Sequence, residues 1–294
     1  MSTTAPPGHA PDRATDLVPP ATPAQAACYQ RLRGHLADLK LSAAASALPA
    51  LLDAAREENL SVLEALERLL GLQATASAAR RADNNLRFAS LPAPWSLEDY
   101  DFSAQPGLEE AVVRELASLR FLDDATNVIF IGQPGVGKTM LAIGLARAAA
   151  LAGHRTYFTT CDDLIRRLKR ALAEHRFPTG LRFFTQPRLL VIDEFGYRRL
   201  DEEGRSLLFE VINGRYLKGS IITTSHVGVS AWAERLGDPM LAAALLDRLL
   251  HRGIIVAIDG PSYRMRAHQA HTDALRQGLT SPAPATTPAR QVAS

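Results

Sequence analysis

Apolar residues follow two different periodic patterns along this chain. From about residue 26 to residue 90 they recur at helical spacing, in stripes typical of amphipathic helices. The stripes consist of Leu32, Leu36 and Leu39, and of Val62, Leu63, Leu66, Leu69 and Leu70. Ser61 and Glu64 have the spacing of a capping box, so the last helix is predicted to start there. We therefore predict a small all-helical domain over 26–90.

The second pattern begins after Pro92 and Pro94, which cannot continue a helix. Short β-branched runs then alternate with helical stretches. The runs lie at 127–131, 156–159, 189–192, 221–224 and 254–258. Strands separated by helices form βαβ units, so this pattern predicts an α/β domain with a five-stranded, mostly parallel sheet. We place this domain at 106–268, after a linker at 91–105.

The ends of the chain and the overall composition narrow the class of protein. Residues 1–25 are rich in Pro, Ala and Thr, and the far end repeats that character, so 1–25 and 269–294 are expected to be disordered tails. Two cysteines, Cys28 and Cys161, are too few for a disulfide framework. No apolar stretch approaches the ~20 residues of a membrane helix, and no signal pattern opens the chain. We expect a cytoplasmic protein without membrane contact.

A glycine-rich segment between the first predicted strand and a helix fits the pattern G-x-x-x-x-G-K-T. Its backbone N–H groups and the helix N-terminus would bind phosphates. Lys138 would bridge the β- and γ-phosphates of ATP, and Thr139 would bind Mg²⁺. The predicted nucleotide-binding residues are Gly132, Gln133, Pro134, Gly135, Val136, Gly137, Lys138, Thr139 and Met140.

Two further strands end in polar residues. The apolar strand at 189–192 runs into Asp193, a candidate metal ligand, and Glu194, a candidate base for water. The alternative is a pair of acidic residues in a surface loop. The strand at 221–224 is expected between the first two, with Thr224 and His226 placed to sense the γ-phosphate, although strand-terminal Thr is also common by propensity alone.

Taken in order, these motifs resemble the AAA+ ATPases, and specifically the IstB-type transposition helper proteins, with the bacterial helicase loaders as relatives. The resemblance extends over about 26–268. Besides GQPGVGKT and LLVIDEFGY, it is carried by LEDYDFSAQPGLEEAVVRELASLRFL, LLFEVINGRY, the TSH and SAW segments, and GDPMLAAALLDRLLHRGIIVAIDGPSYRMR.

The resemblance implies an ATPase that uses ATP and Mg²⁺, assembles as a homo-oligomer on duplex DNA and recruits or activates a partner transposase. Arg248 matches the family's arginine finger, which reaches the nucleotide of a neighbouring subunit. The alternative is an ordinary helix arginine, solvated or paired with Asp247. The chain ends soon after the fifth strand, so the expected AAA+ fold has no helical lid.

Two departures from the family pattern are visible. His226 stands where the family usually has Asn, so we expect hydrolysis that is slow or pH-sensitive. Arg198 and Arg199 replace an apolar residue and a proline, which either extends a basic surface or has no consequence.

Charge by segment indicates where DNA would bind. The net charge is +2, but residues 147–188 hold nine basic and three acidic side chains, against nine and twelve in residues 1–106. Two basic clusters are candidates for contacts with the DNA backbone, without sequence readout. They are Arg166, Arg167, Lys169 and Arg170, and Arg80, Arg81 and Arg87. Solvated helix faces are the alternative for both.

The leading hypothesis is an ATP-dependent, DNA-binding regulator of transposition. Two alternatives stay open: a helicase loader whose helical N-terminus binds a replicative helicase, and an assembly scaffold that binds ATP but hardly hydrolyses it. The carboxylate pair and the additional helical domain argue against a kinase of a small metabolite.

Overall fold

The computed structural model describes residues 22–263, 265, 272 and 276. The chain divides into two compact units, Met1–Arg81 and Ala82–Ser294. The helices are α1 (Pro23–Asp38), α2 (Ser42–Glu57), α3 (Val62–Ala89), α4 (Glu110–Ala117), α5 (Lys138–Leu151), α6 (Cys161–Ala173), α7 (Phe177–Thr185), α8 (Glu202–Arg215), α9 (Val229–Leu236) and α10 (Pro239–Leu250). The strands are β1 (Asn127–Gly132), β2 (Thr156–Thr160), β3 (Leu189–Asp193), β4 (Ser220–Ser225) and β5 (Gly253–Ile258).

Helix caps define the first unit. The side chain of Thr22 accepts from the N–H of Gln25, so α1 starts a few residues before the expected boundary. The Ser61 N–H donates to the Glu64 carboxylate at 2.7 Å, and the Glu64 N–H donates to the Ser61 hydroxyl at 3.3 Å. The predicted capping box is therefore present, directly before α3. The N-terminus of α2 is capped from another helix. The side-chain oxygen of Gln73 in α3 accepts from the N–H groups of Ala43 and Ala44.

The helical unit has a small apolar core. Its buried members are Leu36, Ala44, Leu48 and Leu69. Most of the leucine stripe expected on α3 lies at the surface, because only Leu69 (6% exposed) reaches this core, whereas Leu63 is 78% exposed. Periodicity identified the helix but not the width of the face that becomes covered.

The second unit contains the predicted five-stranded sheet, and every strand pair is parallel. The strand order is β2-β3-β4-β1-β5, so β4 lies between β1 and β3 as expected. Alternate residues of β1 face opposite sides: Val128 and Phe130 pack with α4 and α5, while Ile129 packs with α6, α8 and α10. Helices thus cover both faces, and the carboxyl ends of the strands share one edge.

Segments flanking the sheet were predicted as a linker and a tail. In 91–105, Leu97 and Tyr100 pack on the core beside α5, so this stretch is part of the larger unit. Of 269–294, only Thr272 and Arg276 belong to the described residues, and the expected absence of a lid concerns the same stretch. Among the described helices, none is long and apolar enough to span a membrane.

One arginine is fully buried at the amino edge of the sheet. Arg215 is 0% exposed and donates to four backbone carbonyls. The acceptors are the carbonyl oxygens of Phe184 (2.9 Å), Pro187 (2.8 Å), Arg188 (3.3 Å) and Ser220 (2.7 Å). Burial lowers the pKa of Arg215 to about 9. The carbonyl dipoles compensate for its desolvation and join α8 to the starts of β3 and β4.

Candidate functional site

The glycine-rich loop connects the end of β1 to the start of α5, at the carboxyl edge of the sheet. Gly135 and Gly137 have φ values of +87° and +96°, a region that side chains with a Cβ rarely adopt. The start of α5 has no side-chain cap, so its first N–H groups are available to an anion. This is the strand–loop–helix context that the sequence predicts.

Two tyrosines, Tyr100 and Tyr263, form hydrogen bonds with backbone carbonyls of the loop. A Cβ at Gly137 would lie 2.5 Å from the ring of Tyr100, and the Tyr100 hydroxyl donates to the carbonyl of Val136 at 3.0 Å. Burial raises the pKa of Tyr100, so the phenol stays a donor. The N–H of Tyr263 donates to the carbonyl of Gly135 at 2.9 Å. Both tyrosines belong to segments that carry the family resemblance, but no local sequence pattern predicts these contacts with the loop.

Lys138 closes the loop. It is 8% exposed, and its ammonium group donates to the carbonyls of Gly132 at 2.7 Å and Gln133 at 2.8 Å. The charge is therefore held inside the curve of the loop, where phosphate oxygens would compete for the same N–H donors.

Two strands, β3 and β4, meet the start of α5 at Asp193. Its carboxylate accepts from the hydroxyl of Thr139, at 3.0 and 3.3 Å to its two oxygens, and from the hydroxyl of Thr224. Asp193 is 7% exposed. Thr139 follows the loop lysine, Asp193 ends β3 and Thr224 lies near the end of β4. The sheet order therefore brings together the metal-ligand candidates that the sequence placed 54 positions apart.

Glu194 adopts an uncommon backbone conformation. Its φ is +57°, in the left-handed region that residues other than Gly, Asn and Asp rarely occupy. Its N–H donates to the Thr224 hydroxyl at 3.2 Å, and the next N–H, of Phe195, donates to the Thr224 carbonyl at 2.8 Å. The side chain is exposed. Such conformations concentrate at functional sites, and here the turn separates an exposed carboxylate from the buried one beside it.

The turn after β4 positions His226. The Ser225 hydroxyl accepts from the indole N–H of Trp232 at 3.0 Å and lies 2.8 Å from the carbonyl oxygen of Phe195. The ring of Phe195 lies 4.5 Å from Trp232, so one buried cluster fixes the ends of β3 and β4 together. His226 itself contacts the ring of Tyr197 at 5.1 Å.

The pKa of His226 lies below its ordinary value. Burial is the main cause, and the positive charges of Arg235 and Lys138 add to it, against an opposing effect of Glu194. The imidazole is therefore neutral at pH 7 and offers one donor and one acceptor.

Comparison with known proteins identifies the family. The model described as IstB-like ATP binding protein matches residues 34–271. The chain belongs to this IstB-like family. An ATP-binding protein of insertion sequence IS5376 from Geobacillus stearothermophilus is 40% identical over 237 residues, which cover 81% of this chain and 94% of the relative. The insertion sequence IS21 protein of Pseudomonas aeruginosa is 42% identical, with 79% and 87% covered.

Solved structures with similar folds were also found. The DnaC helicase loader is 30% identical with a TM-score of 0.44, covering 50% of this chain and 86% of that one. A DNA replication initiation factor is 20% identical with a TM-score of 0.49, covering 66% and 58%. The family match confirms the prediction of an ATP-binding protein of the IstB type and, with it, of an ATPase.

Arg248 of this IstB-like protein lies far from its own phosphate loop. It belongs to the last turn of α10, directly before β5 starts at Gly253. The loop begins at Gly132, which pairs with Ile258 at the other end of β5. Five residue steps of strand, about 17 Å, separate these two ends. Arg248 is not paired with Asp247 but donates to Asn213 and to the carbonyl of Ala244.

The basic clusters of the IstB-like protein are partly neutralised within the chain. Arg166 and Arg167 form ion pairs with Asp163, and Lys169 pairs with Asp201 and with Glu203. Arg170 is exposed and lines a groove of about 250 Å³ between α6 and α7, which also includes Arg176 and Phe183.

The second cluster is divided between the two units. Arg80 and Arg81 belong to the helical unit, and Arg80 donates to the hydroxyl of Ser42 at 3.0 Å. Arg87 belongs to the larger unit, and both Arg81 and Arg87 are exposed.

Proposed function

We propose that this protein binds ATP with Mg²⁺, hydrolyses it, and uses the cycle to assemble on duplex DNA and to recruit or activate a transposase. The observation that supports this most is the meeting of Thr139, Asp193 and Thr224 at one strand edge, beside Lys138 and Glu194. That arrangement suits phosphoryl transfer to water.

The residues present fit a magnesium ion. Thr139 and Asp193 offer hydroxyl and carboxylate oxygens, the hard ligands that Mg²⁺ prefers, and phosphate oxygens and water would complete its octahedron. Among the described residues, no group of three or more His, Cys, Asp or Glu side chains could hold a metal ion. The bound ion would neutralise charge on the β- and γ-phosphates.

Separate residues of the chain bind the phosphates, orient the metal ligand and activate the water. Lys138 holds the phosphates, Thr224 orients Asp193, and Glu194 takes a proton from a water aimed at the γ-phosphate. Arg248 cannot serve its own site across the length of β5, so it would act on a neighbouring subunit, where its charge stabilises the transition state. Turnover should therefore rise with protein concentration.

The transposase partner and the DNA contact are supported by different observations. The curated relatives are proteins of insertion sequences, and this context supports a transposase as the partner. For DNA, Arg170 and Arg182 are exposed on α6 and α7, whereas the exposed Arg176 beside them pairs with Glu174. Arg166, Arg167 and Lys169 are engaged by acidic neighbours and would contribute less. Backbone contacts of this kind weaken steeply with salt.

The test is duplex-DNA binding, measured by fluorescence anisotropy with ATP, for the wild type, Lys138→Ala and Glu194→Gln. We expect tight binding by the wild type and by Glu194→Gln, which traps ATP, and a loss of at least tenfold in Lys138→Ala. Arg114→Ala, which removes an exposed ion pair of α4, is the control for nonspecific charge. Wild-type assembly of Lys138→Ala on DNA would contradict a nucleotide switch.

A second candidate, an assembly scaffold with little hydrolysis, is favoured by one observation. His226 occupies the position after Ser225 where the family resemblance leads us to expect Asn. DNA assembly with ATP but without measurable phosphate release, restored to turnover by His226→Asn, would support this candidate instead.

A further inference from the structure

Arg248 is held by one face of the neighbouring helix α8. Its Nε donates to the side-chain oxygen of Asn213 at 2.9 Å, and its guanidinium carbon lies 4.9 Å from the centre of the Phe209 ring. Phe209 and Asn213 are four positions apart, so both lie on the face of α8 that meets α10. The ring centre of Tyr216, the C-cap residue of α8, lies 5.9 Å from the same guanidinium carbon.

The hydrogen bonds of Arg248 use two of its three guanidinium nitrogens, Nε and Nη1. An arginine has five N–H donors in a planar fork. Nε is used by Asn213, and one Nη1 donor by the carbonyl of Ala244 at 2.8 Å. Within the described part of the chain, no group accepts a hydrogen bond from Nη2 of Arg248. Nη2 carries two N–H donors that can meet phosphate oxygens.

We infer that Asn213 is a positioning residue for Arg248 and that Phe209 is the platform on which the guanidinium rests. The inference depends on the proposed function, because positioning matters only if Arg248 reaches a neighbouring nucleotide. A free arginine side chain would lose much rotamer freedom on meeting the phosphates. Asn213 removes that freedom before the subunits meet, so less of the binding energy is lost in the transition state.

A purely structural role for Asn213 makes a different prediction. A hydrogen bond that merely joins α8 to α10 would matter equally in every subunit. A positioning role is directional: it matters in the subunit that donates Arg248 and not in the subunit whose ATP is hydrolysed.

Mixed oligomers of the full chain separate the two roles. Glu194→Gln subunits keep Arg248 but lack their own hydrolysis, and Arg248→Ala subunits keep a competent site but lack the finger. Turnover in the mixture arises where a competent site faces an intact finger. Adding Asn213→Ala to the Glu194→Gln subunit should lower this rescued turnover about tenfold at saturating ATP, with half-saturation unchanged. Adding it to the Arg248→Ala subunit should change nothing.

Ser206→Ala is the matched control, since Ser206 is an exposed residue of α8 whose hydroxyl donates only to its own helix. It should leave the rescue and the unfolding midpoint unchanged, and Asn213→Ala should share that midpoint. An equal loss from either subunit, or no loss from either, would overturn the positioning role. No rescue by the unmodified pair would instead overturn the proposed action of Arg248 in trans, and the inference with it.

Discussion

The helical unit and the ATPase unit use their apolar residues in opposite ways. In residues 22–81 of the helical unit the apolar core has four buried side chains, and the leucines of α3 are mostly at the surface. In the ATPase unit both faces of the sheet are covered, and β1, β3 and β4 are buried over most or all of their length. The first unit is therefore the one whose stability depends on few contacts, while the second can carry a strained residue such as Glu194.

The largest expected effect is in the ATPase unit. Arg215→Leu removes the guanidinium donors of four carbonyls, so we expect the free energy of unfolding to fall by about 4 kcal/mol. Urea unfolding followed by tryptophan fluorescence measures it, because Trp95 and Trp232 both belong to this unit. Arg114→Leu, in an exposed ion pair, should keep the wild-type midpoint. An unchanged midpoint for Arg215→Leu would show that the buried arginine is dispensable.

The helical unit should respond separately. Leu48 is 2% exposed in a core with few members, so Leu48→Ala should cost this unit about 3 kcal/mol. The expected sign is an earlier loss of helical circular dichroism in urea, with the tryptophan transition unmoved. Leu63→Ala, at a 78% exposed position, is the control and should have little effect. A shift of the tryptophan transition by the same amount would mean that the two units unfold together.

This contrast also explains what the sequence could predict. The phosphate loop, Asp193 and Glu194 were predictable because strand ends of a parallel sheet meet at one edge, and their side chains have recognisable chemistry. The face of α3 that becomes buried was not, since periodicity does not reveal how much partner surface exists. The segment LLFEVINGRY carries part of the family resemblance, but its sequence does not indicate what its residues contact. Its Asn213 and Arg215 act through contacts with residues distant in sequence, which no local pattern encodes.

A smaller effect is expected at the turn that joins the ends of β3 and β4. Ser225→Ala removes the acceptor for the Trp232 indole, which costs about 1–2 kcal/mol. We expect a several-fold fall in turnover with ATP affinity unchanged, because the turn positions His226 rather than the phosphates. Steady-state kinetics separates these parameters, and Ser230→Ala, at an exposed position of α9, is the control. A change confined to ATP affinity would contradict this assignment.

The smallest effect is expected from pH. Because burial and two nearby cations lower the pKa of His226, its protonation on the acid side should reduce turnover only below the ordinary histidine range. His226→Asn should remove this decline and raise turnover a few-fold at neutral pH. A pH–rate profile of both proteins is the measurement. Identical profiles would show that His226 takes no part in hydrolysis.

The central claim is that one strand edge separates ATP binding, by Lys138, from ATP hydrolysis, by Glu194. The most direct test follows radiolabelled ATP through binding and cleavage by the wild type, Lys138→Ala and Glu194→Gln. We predict that Glu194→Gln retains intact ATP and turns it over at least 100-fold more slowly, and that Lys138→Ala fails to retain it. Turnover by Glu194→Gln within a few-fold of the wild type, or full ATP retention by Lys138→Ala, would contradict the account.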